Sequence, residues 1–232
     1  MSDAVTVVTG ARKGIGRFLA ERYLAAGHKV VGCSRSESDL SAESYEHSCV
    51  DVADEDAVIR FFASIRKRYG RIDHLLNCAG VASMNHVLLT PGRAVRAIFE
   101  TNVFGTFYCS REAAKVMQKQ RFGRIVNFGS IAVPMKLEGE AAYAASKAAV
   151  VTLTEVMARE LGPFDITVNV VGPTAIATDL IAGIPAERID SLVKRQAIQR
   201  PGTMDDVAAV VDFFLAPGSS LITGQTVYLG GP

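Results

Sequence analysis

Short runs of β-branched and apolar residues recur along the whole chain, and most are followed by a helical pattern that stops at a glycine. VTVV (5–8), KVVGC (29–33), HLL (74–76), RIVNF (124–128) and ITVNVV (166–171) are apolar at consecutive positions, as strands of a parallel sheet covered on both faces must be. Helical spacing occupies 15–26 up to Gly27, 54–69 up to Gly70, 92–120, and 141–161 up to Gly162-Pro163. Glycine after a last turn and proline beyond it are stop signals. A last helix over 204–215 stops before Ala216-Pro217-Gly218, and TVYL (226–229) supplies a closing strand. This order implies a doubly wound α/β fold, a parallel sheet of about seven strands with helices on both faces. No repeat, linker or low-complexity tract interrupts it, so residues 1–232 are expected to form one domain.

The first strand runs into Thr9-Gly10-Ala11-Arg12-Lys13-Gly14-Ile15-Gly16 and then a helix. Glycines there allow a tight turn and the close approach of a pyrophosphate, whose charge faces the free N–H groups of the helix start. The spacing is GxxxGxG, and its position between a first strand and a first helix is what makes it a dinucleotide signal of the Rossmann type. An NAD enzyme carries Asp or Glu at the end of the second strand to bind the ribose 2′-hydroxyl. Here that place reads Cys33-Ser34-Arg35. A 2′-phosphate would meet Ser34 and Arg35 from the strand end and Lys13 or Arg12 from the glycine turn, with no carboxylate at Ser34 to repel it. The expected cofactor is NADPH/NADP⁺; the alternative is that these cations are ordinary solvated charges. Asp51, closing the third strand, is positioned to touch the adenine. Its neighbours Asp54, Glu55 and Asp56 lack calcium-loop spacing and favour a helix N-terminus.

Tyr143 and Lys147 lie one helical turn apart in AAYAASKAAV, and Ser130 ends the apolar run VNFGS. Phenol and ammonium then share one helix face, and a serine at the end of the preceding strand can meet them across a cleft. A hydroxyl donor, a tunable acid and a cation to tune it are what reduction of a carbonyl requires. Standing alone, Tyr143 and Lys147 would be an ordinary exposed pair; beside Ser130 and the glycine turn they form a candidate active site. Bringing a phenol from a pKa of about 10 to near 7 needs roughly 4 kcal/mol of preference for phenolate. An exposed ion pair supplies about 0–1 kcal/mol, so the expected site is dry, with Lys147 lowering the phenol pKa.

Composition excludes other classes. With 25 basic and 24 acidic residues and no basic stripe, no nucleic-acid partner is expected. No apolar run approaches the roughly 18 residues of a membrane span. MSDAVTVVTG enters a strand at once, without the charged and apolar regions of a leader, so a cytoplasmic location is expected. Cys33, Cys49, Cys78 and Cys109 form no CxxC and read as reduced thiols. His28, His47, His74 and His86 show no paired spacing, and no metal site is expected.

TGARKGIG (9–16), NCAG (77–80), ETN (100–102), FGS (128–130) and YAASK (143–147) resemble the short-chain dehydrogenase/reductase family over essentially the whole chain. Within it the chain is most similar to the 3-oxoacyl-[acyl-carrier-protein] reductases, through RFGRIVNFGS, ITVNVVGPTAIATDL and ITGQTVYLGG. The resemblance implies a catalytic tetrad of Asn102, Ser130, Tyr143 and Lys147. In it Tyr143 is the general acid, Ser130 binds the carbonyl oxygen, Lys147 also binds the nicotinamide ribose, and Asn102 supports a proton-relay water. It assigns Asp51 and Val52 to adenine, Asn77, Ala79 and Gly80 to the adenosine ribose side, and Pro173, Ile176 and Thr178 to the nicotinamide. It also implies a homotetramer through the helices over 92–120 and 141–161, with a dimer next.

Three departures stand out. The family's NNAG reads Asn77-Cys78-Ala79-Gly80, and its Pro-Gly after the sixth strand reads Pro173-Thr174. Of two arginines that grip an acidic acyl carrier protein, Arg121 matches one, while the other position is Phe164. The expected activity is therefore reduction of a 3-oxoacyl thioester or other small-molecule carbonyl, with acyl carrier protein a possible partner. The alternatives are an alcohol dehydrogenase or carbonyl reductase of the same family, and a regulator that senses NADPH without turnover. Segments 131–141 and 181–198, the second a possible lid, are expected at the substrate end. There Met135, Leu137, Ile181 and Ile184 would either line an apolar substrate site or simply pack.

Overall fold

The computed structural model describes residues 4–178, 183 and 185–232. Seven parallel strands form one sheet in the order β3-β2-β1-β4-β5-β6-β7. They are β1 (Val5–Thr9), β2 (Lys29–Ser34), β3 (Tyr45–Cys49), β4 (His74–Asn77), β5 (Gly123–Phe128), β6 (Ile166–Gly172) and β7 (Thr226–Tyr228). The consecutive apolar positions have a simple cause: successive side chains enter two different cores. Val5, Val7, Val31, Leu75, Ile125, Ile166 and Val168 pack into one core, and Val8, Val30, Leu76, Val126, Phe128 and Val171 into the other. The first core is closed by α2 (Glu55–Tyr69), α4 (Gly105–Gln120) and α6 (Ala141–Leu161); the second by α1 (Gly14–Ala25) and α8 (Met204–Leu215). Asp54 caps α2, accepting from Ala57 N–H at 3.0 Å, with Glu55 and Asp56 in the first turn; this is the local role expected of that acidic cluster.

Two elements differ from the sequence reading. β3 has no apolar run: YEHSC buries only Tyr45, because it is an edge strand with a single neighbour. The helix expected over 92–120 is interrupted. α3 (Gly92–Phe99) passes through a π-helical turn, Glu100–Phe104, before α4 begins. Such turns carry a residue of insertion and concentrate at functional sites; this one holds Asn102, fully buried. Beyond β5 comes a short α5 (Ala132–Met135), and beyond β6 the described residues include α7 (Ala186–Lys194). Among the described residues no helix is long and apolar enough to cross a membrane.

β1 pairs with β2 on one side and β4 on the other, so the chain changes winding direction there. Open α/β sheets bind ligands at such a switch point, beyond the strand carboxyl ends.

Candidate active site

The glycine turn follows β1 directly. Gly10 and Gly14 adopt φ of 68° and 59°, the left-handed region that favours glycine. A Cβ on Gly10 would stand 2.9 Å from the Ala79 backbone, and one on Gly16 only 2.5 Å from the Gly10 carbonyl. Helix α1 opens without a side-chain cap and without an acidic residue in its first turn, which leaves its N–H groups available to an anion. Thr178 lies across from this turn, 3.7 Å from where a Gly14 Cβ would be. These features fit a dinucleotide pyrophosphate. Arg12, Lys13 and Arg35 are exposed around it, and Ser34 is half-buried at the end of β2.

Several expected contacts change character. Asn77 is buried, and its amide donates to Ser110 Oγ at 2.9 Å and Asn127 Oδ1 at 2.8 Å. Its side chain therefore belongs to a polar core chain, leaving the backbone for a cofactor. Val52 is buried beneath Gly105, whose Cβ would come within 2.6 Å of it, and Ile176 is buried in the second core; these two also face the site by backbone only. Asp51 is exposed, with one oxygen accepting from Ala53 N–H at 3.0 Å. Pro173 accepts from Ile131 N–H through its carbonyl at 3.0 Å, joining the loop after β6 to the one after β5. Thr174, where the resemblance expects glycine, is buried with an unpaired hydroxyl.

The catalytic candidates do converge. Ser130 stands just beyond β5, and its hydroxyl hydrogen-bonds the Tyr143 phenol from α6. Lys147, one turn further along, places Nζ 5.9 Å from the Tyr143 ring centroid and donates to the Phe128 carbonyl at 2.8 Å. A Cβ on Gly80 would meet both Asn102 Oδ1 (3.4 Å) and Lys147 Nζ (3.6 Å), so the end of β4, the π turn and α6 meet at one point. Asn102 brackets Val81, accepting from its N–H at 2.8 Å and donating to its carbonyl at 2.9 Å, and also donates to Ser146 Oγ at 3.0 Å. Its own carbonyl accepts from Thr106 Oγ at 2.8 Å.

The electrostatics correct one expectation. Burial pushes the Tyr143 phenol up to about 12, with Glu140 acting in the same direction and the Ser130 hydrogen bond against it. Burial also pushes Lys147 down to about 8, an effect opposed by the Cys78 sulfur. The site is dry, as required, but dryness penalises both charged forms, and Lys147 does not by itself make the phenol acidic.

The expected substrate side is divided. A cleft of about 580 Å³ is lined by His86, Val87, Val133 and Leu137 and by small residues of α6. Those α6 residues (Ala141, Ala144, Ala145 and Ala148) project from the helix side facing away from Tyr143 and Lys147, at 100° per residue. Met135 is buried and packs, and Ile181 and Ile184 lie outside the described residues. Two groups went unremarked in the sequence. Glu140 shares the Tyr143 face of α6, its carboxyl raised by burial, and His47 reaches the end of β2.

A parallel switch-point fold with a glycine turn and a buried Ser–Tyr–Lys set defines an oxidoreductase that uses a nicotinamide dinucleotide. A protein-family model described as enoyl-(acyl carrier protein) reductase matches residues 10–231. The chain is 36% identical to the short-chain reductase protein NovJ of Streptomyces niveus, over 99% of this chain and 93% of that protein. It is 33% identical to the 3-oxoacyl-[acyl-carrier-protein] reductase FabG of Salmonella typhimurium, over 98% and 96%. The solved structure of ElxO with NADP bound superposes with a TM-score of 0.90 at 30% identity, over 97% and 96%. The chain belongs to the short-chain dehydrogenase/reductase family, and within it is most similar to the FabG reductases.

Proposed function

We propose that the protein is an NADPH-dependent ketoreductase that reduces a 3-oxoacyl thioester to the corresponding secondary alcohol. The observation that carries this reading is the meeting of Ser130, Tyr143 and Lys147 in a water-poor site at the end of β5. The cofactor, held along Gly10–Gly16, Ser34–Arg35 and the loop from Pro173 to Thr178, supplies a hydride to the carbonyl carbon. Ser130 holds the carbonyl oxygen, and Tyr143 gives that oxygen its proton. A phenol at about 12 is fully protonated at neutral pH and still far more acidic than the alcohol formed, whose pKa resembles that of water, about 16. It is thus ready to donate, which favours the reductive direction. Lys147 supplies positive charge beside the phenol and binds the nicotinamide ribose. Asn102 holds Val81 against α6 and thereby shapes the floor beneath Lys147.

A second reading, reduction of a free ketone, has its own support. Arg121, the single arginine available to grip an acidic carrier, already donates to the Pro163 carbonyl at 3.0 Å and lies 3.7 Å from Asp165; Phe164 stands where its partner would be. The matching family description names an enoyl reduction, but a paired hydroxyl and phenol address an oxygen rather than a C=C bond. Following NADPH consumption with acetoacetyl thioester, a simple ketone and crotonyl thioester separates the three. Turnover of the first is expected to exceed the others by about tenfold or more. Faster reduction of crotonyl thioester would overturn the carbonyl assignment, and binding of NADPH without any turnover would mark a regulator.

The cytoplasm is the proposed location and a homotetramer the proposed assembly. Phe104, Phe107 and Val156, on α4, α6 and the π turn, are 48%, 37% and 47% exposed, apolar area that a subunit interface would cover. Light scattering is expected to give a mass near four times 24.8 kDa; a monomer at micromolar concentration contradicts the assembly.

A further inference from the structure

The end of β2 carries a polar relay that the catalytic mechanism does not use. His47 lies on β3 directly opposite Gly32 of β2. Its Nδ1 is 2.8 Å from the Tyr45 hydroxyl; its Nε2 is 3.0 Å from Ser34 Oγ and 3.1 Å from the Ser36 carbonyl. Ser34 Oγ also donates to the Ser36 carbonyl at 2.6 Å. The Tyr45 hydroxyl lies where a Gly32 Cβ would be, and Ser38 hydrogen-bonds the same phenol.

These contacts select one proton arrangement. The Ser36 carbonyl can only accept, so Nε2 facing it carries the proton, and Nδ1 must then accept from Tyr45. The chain of donation runs from Ser38 to Tyr45, from Tyr45 to His47, and from His47 to Ser36 and Ser34. Two donors close on the Ser36 carbonyl and hold residues 34–36 as a tight turn, with Arg35 at its exposed apex. The opposite tautomer would aim a lone pair at the space where a phosphate is expected. Nearby negative charge is neutralised separately: Arg17 pairs with Asp39 and Glu21.

We propose that His47, oriented by Tyr45, is a positioning residue for the cofactor's 2′-phosphate. By fixing the 34–36 turn and presenting an N–H rather than a lone pair, it sets the preference for the phosphorylated dinucleotide. The inference rests on the NADPH reading above. It places a determinant of cofactor choice on β3, beneath the residues that would touch the phosphate.

The test compares wild type, His47→Leu, His47→Gln and Tyr45→Phe. It uses kcat/KM for NADPH and NADH, together with calorimetric binding of 2′,5′-ADP and 5′-AMP, which needs no turnover. His47→Leu is expected to weaken 2′,5′-ADP binding and lower kcat/KM for NADPH by about tenfold, the size of one charge-assisted hydrogen bond. The values for 5′-AMP and NADH, and kcat at saturation, should stay within about twofold. His47→Gln, which keeps a donor, should recover most of the loss. Tyr45→Phe, which removes one hydroxyl, should fall between and serves if the leucine variant does not fold. Equal losses for both nucleotides in the variants, or no loss for either, would overturn the role of His47. A wild type that prefers NADH would instead overturn the NADPH reading itself.

Discussion

Tyr143→Phe is expected to lower kcat by about three orders of magnitude, the scale of a lost general acid, while the dissociation constant for NADPH changes by about twofold at most. The substitution removes one oxygen and keeps the ring against which Lys147 Nζ rests at 5.9 Å. Lys147 retains its bond to the Phe128 carbonyl, and Ser130 retains the Ala132 N–H at 3.2 Å. Phe is also more easily buried than a phenol with a single partner, so the melting temperature should hold. A substrate carbonyl would still be held by Ser130, but the developing alkoxide would have to take its proton from water in a site built to exclude it. The measurement is single-turnover reduction beside fluorescence titration of NADPH. Turnover within about tenfold of wild type would remove Tyr143 from the acid's role.

The sheet was legible because period and composition agreed at nearly every strand. VTVV and ITVNVV bury alternate residues in different cores, and only a sheet covered on both sides tolerates that pattern. β3 escaped the hydropathy reading since an edge strand has one neighbour, and its residues Glu46, His47 and Ser48 are only half-buried. The π turn at Asn102 was also hidden: one extra residue within a long helix shifts the apolar face gradually, and nothing in ETNVF announces it.

The site was legible at the level of which residues meet, and less so in what each side chain does. Asn77 matches a motif position, yet its amide is consumed by Ser110 and Asn127 across the first core. Motif spacing locates a Cα and carries no information on which way a buried amide turns. The direction of the Tyr143 shift is a similar case. Sequence spacing brings an ammonium near a phenol, but the desolvation that raises the phenol depends on packing from β5, α5 and α6 together. His47 illustrates the reverse problem: its function-bearing contacts depend on the register Gly32↔His47, a long-range pairing that no local pattern encodes.

Lys147→Met is expected to reduce turnover by about two orders of magnitude or more, since the positive charge beside the phenol is lost, and yet to raise the stability of the cofactor-free protein at pH 7. The ammonium is 6% exposed, and burial brings it from 10.5 down to about 8. A base whose folded pKa lies below its unfolded value binds fewer protons when folded, so stability rises with pH across the interval between the two. Below that interval the full penalty of burying the charge is present, about 3 kcal/mol; at its upper end the penalty is gone. Methionine carries no charge to desolvate but leaves the Phe128 carbonyl unpaired, at a cost of about 1–3 kcal/mol. The variant should therefore melt about 2–4 °C above wild type at pH 7. It should lose that advantage, and then fall below wild type, as pH rises toward 10.5. Tyr143 is raised by burial from 10.0 to about 12 and destabilises both proteins equally above pH 10, so it cancels from the comparison. The same ammonium that weakens the empty fold is the one the reaction requires, a trade of stability for function with a definite pH signature. Thermal melts of both proteins at pH 7 and pH 10 decide it. A variant less stable by the same margin at both values would show that the ammonium is not penalised by burial.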